Sequence, residues 1–156
     1  GWTPHTALRM ARELAAYNVE FIEQPLPPAD IEGMRWLKAR CPLPLVADES
    51  CCRLQSVPAV AGFFDGINIK LAKSGGIREA LRMIHCARAH GLSIMLGCMI
   101  ESSVGIAAAA HISPLVDYTD LDGAALLAED PFQGLGFESG RLGFSGKPGL
   151  GVEPVS

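Results

Sequence analysis

The sequence has little charge and no region in which charge of one sign accumulates. Of its 156 residues 19% are charged, the formal net charge is −4, and lysine or arginine runs are missing. Proteins whose main partner is a nucleic acid usually carry a basic patch or stripe, so the composition argues against that function. The 49% of hydrophobic residues provide enough apolar surface for a core, which excludes a disordered chain.

Long apolar segments and cysteine pairs are also missing. No stretch reaches the roughly 18 apolar residues of a membrane-spanning helix, and the opening GWTPHTALRM lacks the features of a signal peptide. The five cysteines are odd in number and show no paired CxxC spacing, which favours free thiols and a cytoplasmic location. We therefore expect no membrane and no nucleic acid among the partners.

One pattern recurs along the chain about every 22 to 27 residues, the size of one βα unit. A short apolar run ends in a polar residue, and a loop and a helical segment follow. The predicted strands lie within 19–25, 43–50, 66–73, 93–101 and 116–123. The predicted helices lie within 3–18, 30–40, 56–64, 76–91 and 102–113, with Thr3 and Asp30 as N-caps of the first two.

Apolar strands that alternate with helices predict an α/β fold with a parallel sheet covered by helices. A closed (β/α)₈ barrel needs eight such units and about 250 residues, whereas this chain opens on a helix and offers five strands. We expect residues 1–123 to be the C-terminal part, about five βα units, of a TIM-type barrel. A flavodoxin-like open sheet is the structural alternative. Residues 124–156, rich in Gly and Pro, predict a closing loop, a hairpin near 135–144 and a tail.

Ionisable side chains stand at the ends of successive predicted strands. Because side chains alternate along a strand, Glu23, Asp48 and Lys70 are expected to point into the barrel at its C-terminal rim, where such barrels build active sites. Asp120 and Asp122 form a further pair on one face of the last strand.

Two neighbouring carboxylates repel each other unless a cation lies between them, and Mg²⁺ prefers oxygen ligands. A lysine in a partly desolvated pocket beside such a metal is a usable base. The combination suits removal of a proton α to a carboxylate, with the resulting charge held by the metal. The sequence therefore predicts Mg²⁺ at Glu23 and Asp48, and Lys70 as the acid/base.

Other interpretations of these residues remain open from the pattern alone. A carboxylate at a strand end is often a helix cap or an ion-pair partner, and Lys73 is better explained as a rim contact than as a second catalyst. A barrel lysine also forms Schiff bases in aldolases. A truncated barrel with an exposed sheet edge could serve only as a binding or inert module. Met83, Met95 and Met99 are predicted core residues.

The segments EFIEQPL, LVADES, INIKLAKSGGI, LGCMIESSVGIAAAAH and KPGLGV occur in this order along nearly the whole chain. Together they resemble the enolase superfamily, in its mandelate racemase/muconate-lactonizing branch, and within the muconate-lactonizing subgroup the dipeptide epimerases. The superfamily is known for a Lys or His base used with Mg²⁺. The resemblance therefore implies the chemistry that the strand-end residues also predict, which is removal of an α-proton by a lysine beside Mg²⁺.

The resemblance implies a role for each matching residue. Glu23 and Asp48 correspond to metal ligands on the fourth and fifth barrel strands, and Lys70 to the acid/base on the sixth. Asp120 and Asp122, in TDLDG, correspond to the pair that binds the free α-ammonium of a dipeptide. Cys98 is then a residue that lines the substrate on the seventh strand.

The implied activity is a Mg²⁺-dependent 1,1-proton transfer at the α-carbon of the C-terminal residue of a dipeptide such as L-Ala-L-Glu, through a metal-stabilised enediolate. The alternative is another reaction of the subgroup: muconate cycloisomerisation, o-succinylbenzoate synthesis or N-acylamino acid racemisation. The expected partner is a small-molecule dipeptide, and a homo-oligomer is possible.

The sequence departs from the family at its start. The family's first metal ligand belongs to a D-x-N motif directly before GW, and its second base to a K-x-K motif on the second strand. Neither motif is present, and neither is the N-terminal capping domain that selects the substrate side chain. We therefore expect the chain to be inactive by itself and the full-length protein to be the enzyme.

Overall fold

The computed structural model describes residues 1–155, and its main feature is a sheet of five parallel strands that pair in chain order. All five predicted strands are confirmed. They are Ile22–Glu23 (β1), Leu45–Ala47 (β2), Gly66–Lys70 (β3), Ser93–Gly97 (β4) and Tyr118–Thr119 (β5). A flavodoxin-like sheet reverses its strand order at a switch point, and this sheet has no reversal among the described strands. The flavodoxin-like alternative is therefore wrong.

The sheet bends as part of a barrel. Phe21, just before β1, contacts Tyr118 of β5, with ring centroids 4.9 Å apart. In a flat sheet the first and fifth strands would lie roughly 19 Å apart, at ~4.8 Å per strand. The contact between the two edge strands therefore requires strong curvature. The chain forms part of a (β/α)₈ barrel, and the boundary drawn at residue 123 stays a prediction.

Five helices lie within the predicted helical segments, and the sixth, Leu71–Ser74, begins inside the range predicted for the third strand, because β3 ends at Lys70. Thr3 accepts a hydrogen bond from the Thr6 N–H, and Asp30 accepts one from the Gly33 N–H, so both predicted N-caps are confirmed. No helix of the described chain is long and apolar enough to cross a membrane. The helices are Pro4–Leu14 (α1), Ile31–Lys38 (α2), Ser56–Val60 (α3), Leu71–Ser74 (α4), Ile77–Ala89 (α5) and Ser103–Ala110 (α6).

The core lies between the helices and one face of the sheet. Alternate strand residues belong to this buried cluster, and the residues between them face the other way, into the curve. Asn68 and Lys70 are on that second face of β3. The strand residues of the core include Leu45, Ala47, Ile67, Ile69, Ile94 and Leu96.

In two places an aspartate just before a strand contacts both the preceding strand and the helix before that strand. Asp65, just before β3, accepts a hydrogen bond from the Leu45 N–H at 2.8 Å and forms an ion pair with Lys38, in the last turn of α2. Asp117, just before β5, occupies the equivalent position two βα units further on, where it accepts a hydrogen bond from the Ile94 N–H and forms an ion pair with Arg88, in the last turn of α5. Each carboxylate therefore joins the end of a helix to the first residues of the preceding strand.

Asp117 is expected to make stability depend on pH in the acid range. A bidentate hydrogen bond from Arg88, at 2.7 and 2.9 Å, lowers the pKa of Asp117; burial acts the other way, and the Ile94 N–H lowers it further. The pKa of Asp117 in the folded protein therefore lies below the ordinary 3.8. The stabilisation of the folded state by the charged carboxylate is complete above the pKa of Asp117 in the unfolded chain, and it is lost as the pH falls through its pKa in the folded protein.

The measurement is urea unfolding of the full-length protein and its Asp117→Asn variant from pH 7 to pH 3. We expect the wild-type advantage in the free energy of unfolding to be constant near neutral pH and to shrink below about pH 4. An advantage that stays the same throughout would contradict this account.

The C-terminal region contains the predicted hairpin and one pairing that sequence analysis missed. Leu135–Glu138 (β7) and Arg141–Phe144 (β8) pair antiparallel around a two-residue turn whose residues both have positive φ, as a type I′ turn requires. The predicted tail is not a free end, because Glu153–Pro154 (β9) pairs with Phe132–Gln133 (β6).

Candidate active site

The three residues predicted to share one rim meet at the carboxyl ends of β1, β2 and β3. Lys70 Nζ donates a hydrogen bond to Asp48 Oδ2 at 2.6 Å and lies 3.8 Å from Glu23 Oε1. One ammonium group thus lies between two carboxylates from neighbouring strands. The strand alternation that sends Ile67 and Ile69 into the core directs Lys70 to this rim.

Asp48 is the most deeply buried of these groups, with its side chain 7% exposed. Lys73, in α4, also donates to it, with Nζ at 2.8 Å from Oδ1 and 3.0 Å from Oδ2. Burial raises the pKa of Asp48, but the hydrogen bonds from Lys70 and Lys73 outweigh that effect, and the pKa lies below 3.8. Asp48 is therefore a carboxylate at neutral pH, and the expectation that Lys73 makes a rim contact agrees with this geometry.

The Gly-Gly pair after Lys73 ends the short helix that carries this second lysine. Gly75 and Gly76 have φ of 98° and 104°, which L side chains rarely adopt. The Gly75 and Gly76 N–H groups both donate to the Leu71 carbonyl. Lys73 follows Lys70 by three residues, in this one-turn helix, and both ammonium groups reach Asp48.

Gln24 is a site residue that sequence analysis missed. Its Oε1 accepts hydrogen bonds from the N–H groups of Asp48 at 3.0 Å and Ser50 at 3.2 Å, and its Nε2 donates to Ser50 Oγ and the Leu26 carbonyl. Its φ of 37° is unusual for a residue with a side chain. Gln24 thus ties the end of β1 to the loop that carries Asp48. The sequence signal that could have identified it is a glutamine, whose side chain both donates and accepts hydrogen bonds, directly after the strand-end carboxylate of Glu23.

The donor set fits part of a magnesium site. Glu23 and Asp48 offer hard oxygen ligands, and both already lie against one cation, the Lys70 ammonium. Mg²⁺ requires near-octahedral oxygen coordination. Within residues 1–155 no three His, Cys, Asp or Glu side chains are grouped to hold a metal. The described chain therefore supplies two carboxylates whose oxygens suit Mg²⁺.

The second predicted group lies after β4 and β5. Asp120 and Asp122 are exposed and border a cleft of about 470 Å³ against the β7–β8 hairpin. Cys98 is their neighbour: burial raises its pKa, a hydrogen bond with the Gly123 backbone opposes this, and the two aspartates raise it further. The structure brings Cys98 and the aspartates together. No hydrogen bond or ion pair among residues 1–155 joins them to Lys70.

Gly123 permits the close approach of these two loops. A Cβ added there would lie 2.1 Å from the Met99 carbonyl oxygen and 3.0 Å from Cys98 Sγ. We expect Gly123→Ala to destabilise the full-length protein by about 1–3 kcal/mol, the usual range for overpacking, because the carbonyl cannot move without the backbone.

Gly62→Ala is the matched control, since a Cβ at Gly62 meets nothing within 4 Å. Urea unfolding of both variants measures the difference. Equal free energies of unfolding for Gly123→Ala and Gly62→Ala would contradict the predicted clash.

The loop after β4 is more exposed than expected. Met83 and Met95 are buried, as predicted, but Met99 is 45% exposed and its neighbour Ile100 is 69% exposed. The prediction that Met99 is a core residue is wrong, because β4 ends at Gly97 and the chain then turns outward. Two apolar side chains are thus presented beside Cys98.

Comparison with known proteins gives consistent matches over the whole chain. The model of a family described as enolase C-terminal domain-like matches residues 1–155. The chain is 43% identical over 156 residues to L-Ala-D/L-Glu epimerase of Bacteroides thetaiotaomicron, covering 99% of this chain and 41% of that protein. It is 50% identical over 134 residues to hydrophobic dipeptide epimerase of Flavobacteria bacterium, covering 86% of this chain and 38% of that protein.

A solved structure gives the same result. Dipeptide epimerase from Cytophaga hutchinsonii, complexed with Mg and the dipeptide D-Ala-L-Val, matches with a TM-score of 0.91 and 30% identity. The match covers 99% of this chain and 44% of that one. The chain thus spans less than half the length of each of these proteins.

Proposed function

Because this chain belongs to the enolase C-terminal domain-like family, we propose that it is the C-terminal part of a Mg²⁺-dependent dipeptide epimerase. The substrate is a dipeptide such as L-Ala-L-Glu, and the reaction inverts the α-carbon of its C-terminal residue. The names of the relatives support the activity, and the Mg and dipeptide in the Cytophaga hutchinsonii complex support the cofactor and the substrate class.

The observation that carries the proposal is the Lys70 ammonium between the Glu23 and Asp48 carboxylates. Glu23 and Asp48 would hold Mg²⁺, which when bound stabilises negative charge on the substrate carboxylate as the α-proton leaves. Lys70 Nζ exchanges that proton on one face of the α-carbon. Inversion needs a second acid/base on the opposite face, which we assign to the part of the protein outside this chain.

Asp120 and Asp122 bind the free α-ammonium of the dipeptide in this proposal. Both side chains are exposed at the carboxyl end of β5, where a substrate can reach them. Two carboxylates facing one ammonium form charge-assisted hydrogen bonds, which are stronger than neutral ones. Cys98 lies beside them and lines the substrate. We further propose that residues 1–123 form the catalytic barrel part and 124–156 close it.

Proton exchange in deuterated water tests the proposed reaction. In the presence of Mg²⁺, the full-length protein is expected to introduce deuterium at the α-carbon of the glutamate of L-Ala-L-Glu. Loss of the α-proton signal in ¹H NMR measures this exchange. Removal of the metal with EDTA should stop the exchange, and added Mg²⁺ should restore it. Exchange that persists in EDTA, or no exchange with Mg²⁺ present, would contradict the proposal.

A further inference from the structure

Asn68 is a polar residue in the middle of a buried strand, and it is 3% exposed. Its Nδ2 donates a hydrogen bond to Glu23 Oε1 at 2.6 Å, across 45 residues of sequence. A carboxylate only accepts hydrogen bonds, so the amide nitrogen must face Glu23 and the amide carbonyl must point away from it. The orientation of the Asn68 side chain is therefore determined by its contact.

The other end of the amide has no partner in the described chain. Asn68 Oδ1 is buried and accepts no hydrogen bond within residues 1–155. Buried polar atoms are nearly always paired, so asparagine is not the residue that stability alone would favour at position 68. Leucine, of similar shape, would fill the same space without an unpaired oxygen.

The neighbouring strand leaves room for this amide. A Cβ at Gly97 would lie 2.6 Å from Asn68 Oδ1 and 2.7 Å from Nδ2, so any side chain there would displace the amide. Lys70, paired with Gly97 in the β3–β4 register, is two residues further along the same face. Asn68 therefore contacts one carboxylate of the pair while Lys70 contacts both.

We propose that Asn68 is a positioning residue that orients the Glu23 carboxylate for cation binding. By holding Oε1, the amide leaves Oε2 of Glu23 as the oxygen available to a metal. This inference rests on the proposed function, since it takes Glu23 as a Mg²⁺ ligand. It adds a residue that acts through Glu23, and it explains why an amide with an unpaired oxygen occupies a core strand.

Metal affinity, measured apart from turnover, tests this role. Isothermal titration calorimetry of Mg²⁺ into the full-length protein is expected to give a dissociation constant about 10- to 100-fold higher for Asn68→Leu than for the wild type, the usual effect of losing a group that orients a ligand. Activity should recover at saturating Mg²⁺, because the variant keeps Glu23, Asp48 and Lys70.

Ile69→Val is the matched control, since it trims the neighbouring core residue on the opposite face of the same strand. It should lower the melting temperature and leave the Mg²⁺ affinity unchanged. Asn68→Leu should lower the melting temperature of the metal-free protein no more than Ile69→Val does. Gly97→Ala keeps the amide but displaces it, and it should also weaken Mg²⁺ binding.

The outcomes separate the two proposals. If the wild-type protein and the Asn68→Leu variant bind Mg²⁺ with equal affinity, the proposed role of Asn68 is overturned and the proposed function still stands. Wild-type protein without saturable Mg²⁺ binding overturns both. Weaker binding in Asn68→Leu and Gly97→Ala, but not in Ile69→Val, supports the positioning role.

Discussion

Replacing Lys70 by alanine in the full-length protein is expected to lower dipeptide epimerisation by about 10²- to 10⁴-fold, the usual contribution of a positioned acid/base. Lys70 Nζ is the group that exchanges the α-proton in the proposed reaction. Deuterium uptake at the α-carbon should fall in parallel with epimerisation. The measurement is ¹H NMR of L-Ala-L-Glu in deuterated water with saturating Mg²⁺.

Lys38→Ala provides the matched control, because it removes the same charge from an ion pair with Asp65, which lies just before β3, at the opposite end of that strand from Lys70. We expect Lys38→Ala to reduce stability and leave the rate per folded molecule unchanged. Unchanged turnover in Lys70→Ala would show that this lysine is not the acid/base and would remove the basis of the mechanism.

Neutralising the aspartate pair is expected to weaken recognition of dipeptides selectively. Asp120→Asn and Asp122→Asn each keep the size of the side chain but remove the charge that faces the substrate ammonium. A hydrogen bond to a charged group contributes ~1.5–3 kcal/mol, so each variant should lose about 10- to 150-fold in kcat/KM for L-Ala-L-Glu. The loss should appear mainly in KM, since neither residue takes part in the proton transfer.

Specificity decides between the proposed reaction and the others of the subgroup. An N-acylated amino acid has no free ammonium, so its turnover by the wild type should be low and should change little in the two variants. Glu13→Gln, an exposed carboxylate in α1, controls for the change in net charge. Full dipeptide activity in both aspartate variants would favour a muconate-lactonizing-subgroup substrate without an ammonium.

The main site residues could be predicted because strand alternation is a local property. Glu23 and Lys70 each end an apolar strand and Asp48 directly follows one, so their direction follows from the residues beside them. The rim on which they meet follows from the parallel sheet, whose carboxyl ends all lie on one side. The structure brings the three side chains together at this rim, and their roles stay predictions, drawn from the residue types and from the resemblance.

The supporting contacts could not be predicted, since they depend on how neighbouring strands are offset. Asn68 lies on the inner face of β3, as strand alternation requires, but its hydrogen bond to Glu23 crosses over β2, which no local pattern reveals. Gln24, which contacts Asp48 and Ser50, has a positive φ, and such a conformation is rare for residues other than glycine and is not predictable from the local sequence. These contacts arise when distant segments are brought together.

The C-terminal region shows the same limit. The β7–β8 hairpin was predictable from its short turn around Ser139 and Gly140, which is a local signal. The pairing of Phe132–Gln133 with Glu153–Pro154 joins two strands of two residues across a Gly-rich loop, too short to show periodicity. The prediction for Met99 was wrong because the exact end of β4, which the sequence pattern does not define, decides whether the next apolar residue is buried.

A crystal structure of the full-length protein with Mn²⁺ in place of Mg²⁺ and a bound dipeptide tests the central claim most directly. The account predicts an anomalous-scattering peak within ~2.0–2.3 Å of carboxylate oxygens of both Glu23 and Asp48, and Lys70 Nζ facing the α-carbon of the C-terminal residue. A metal bound elsewhere, or a dipeptide whose α-carbon lies out of reach of Lys70, would contradict it.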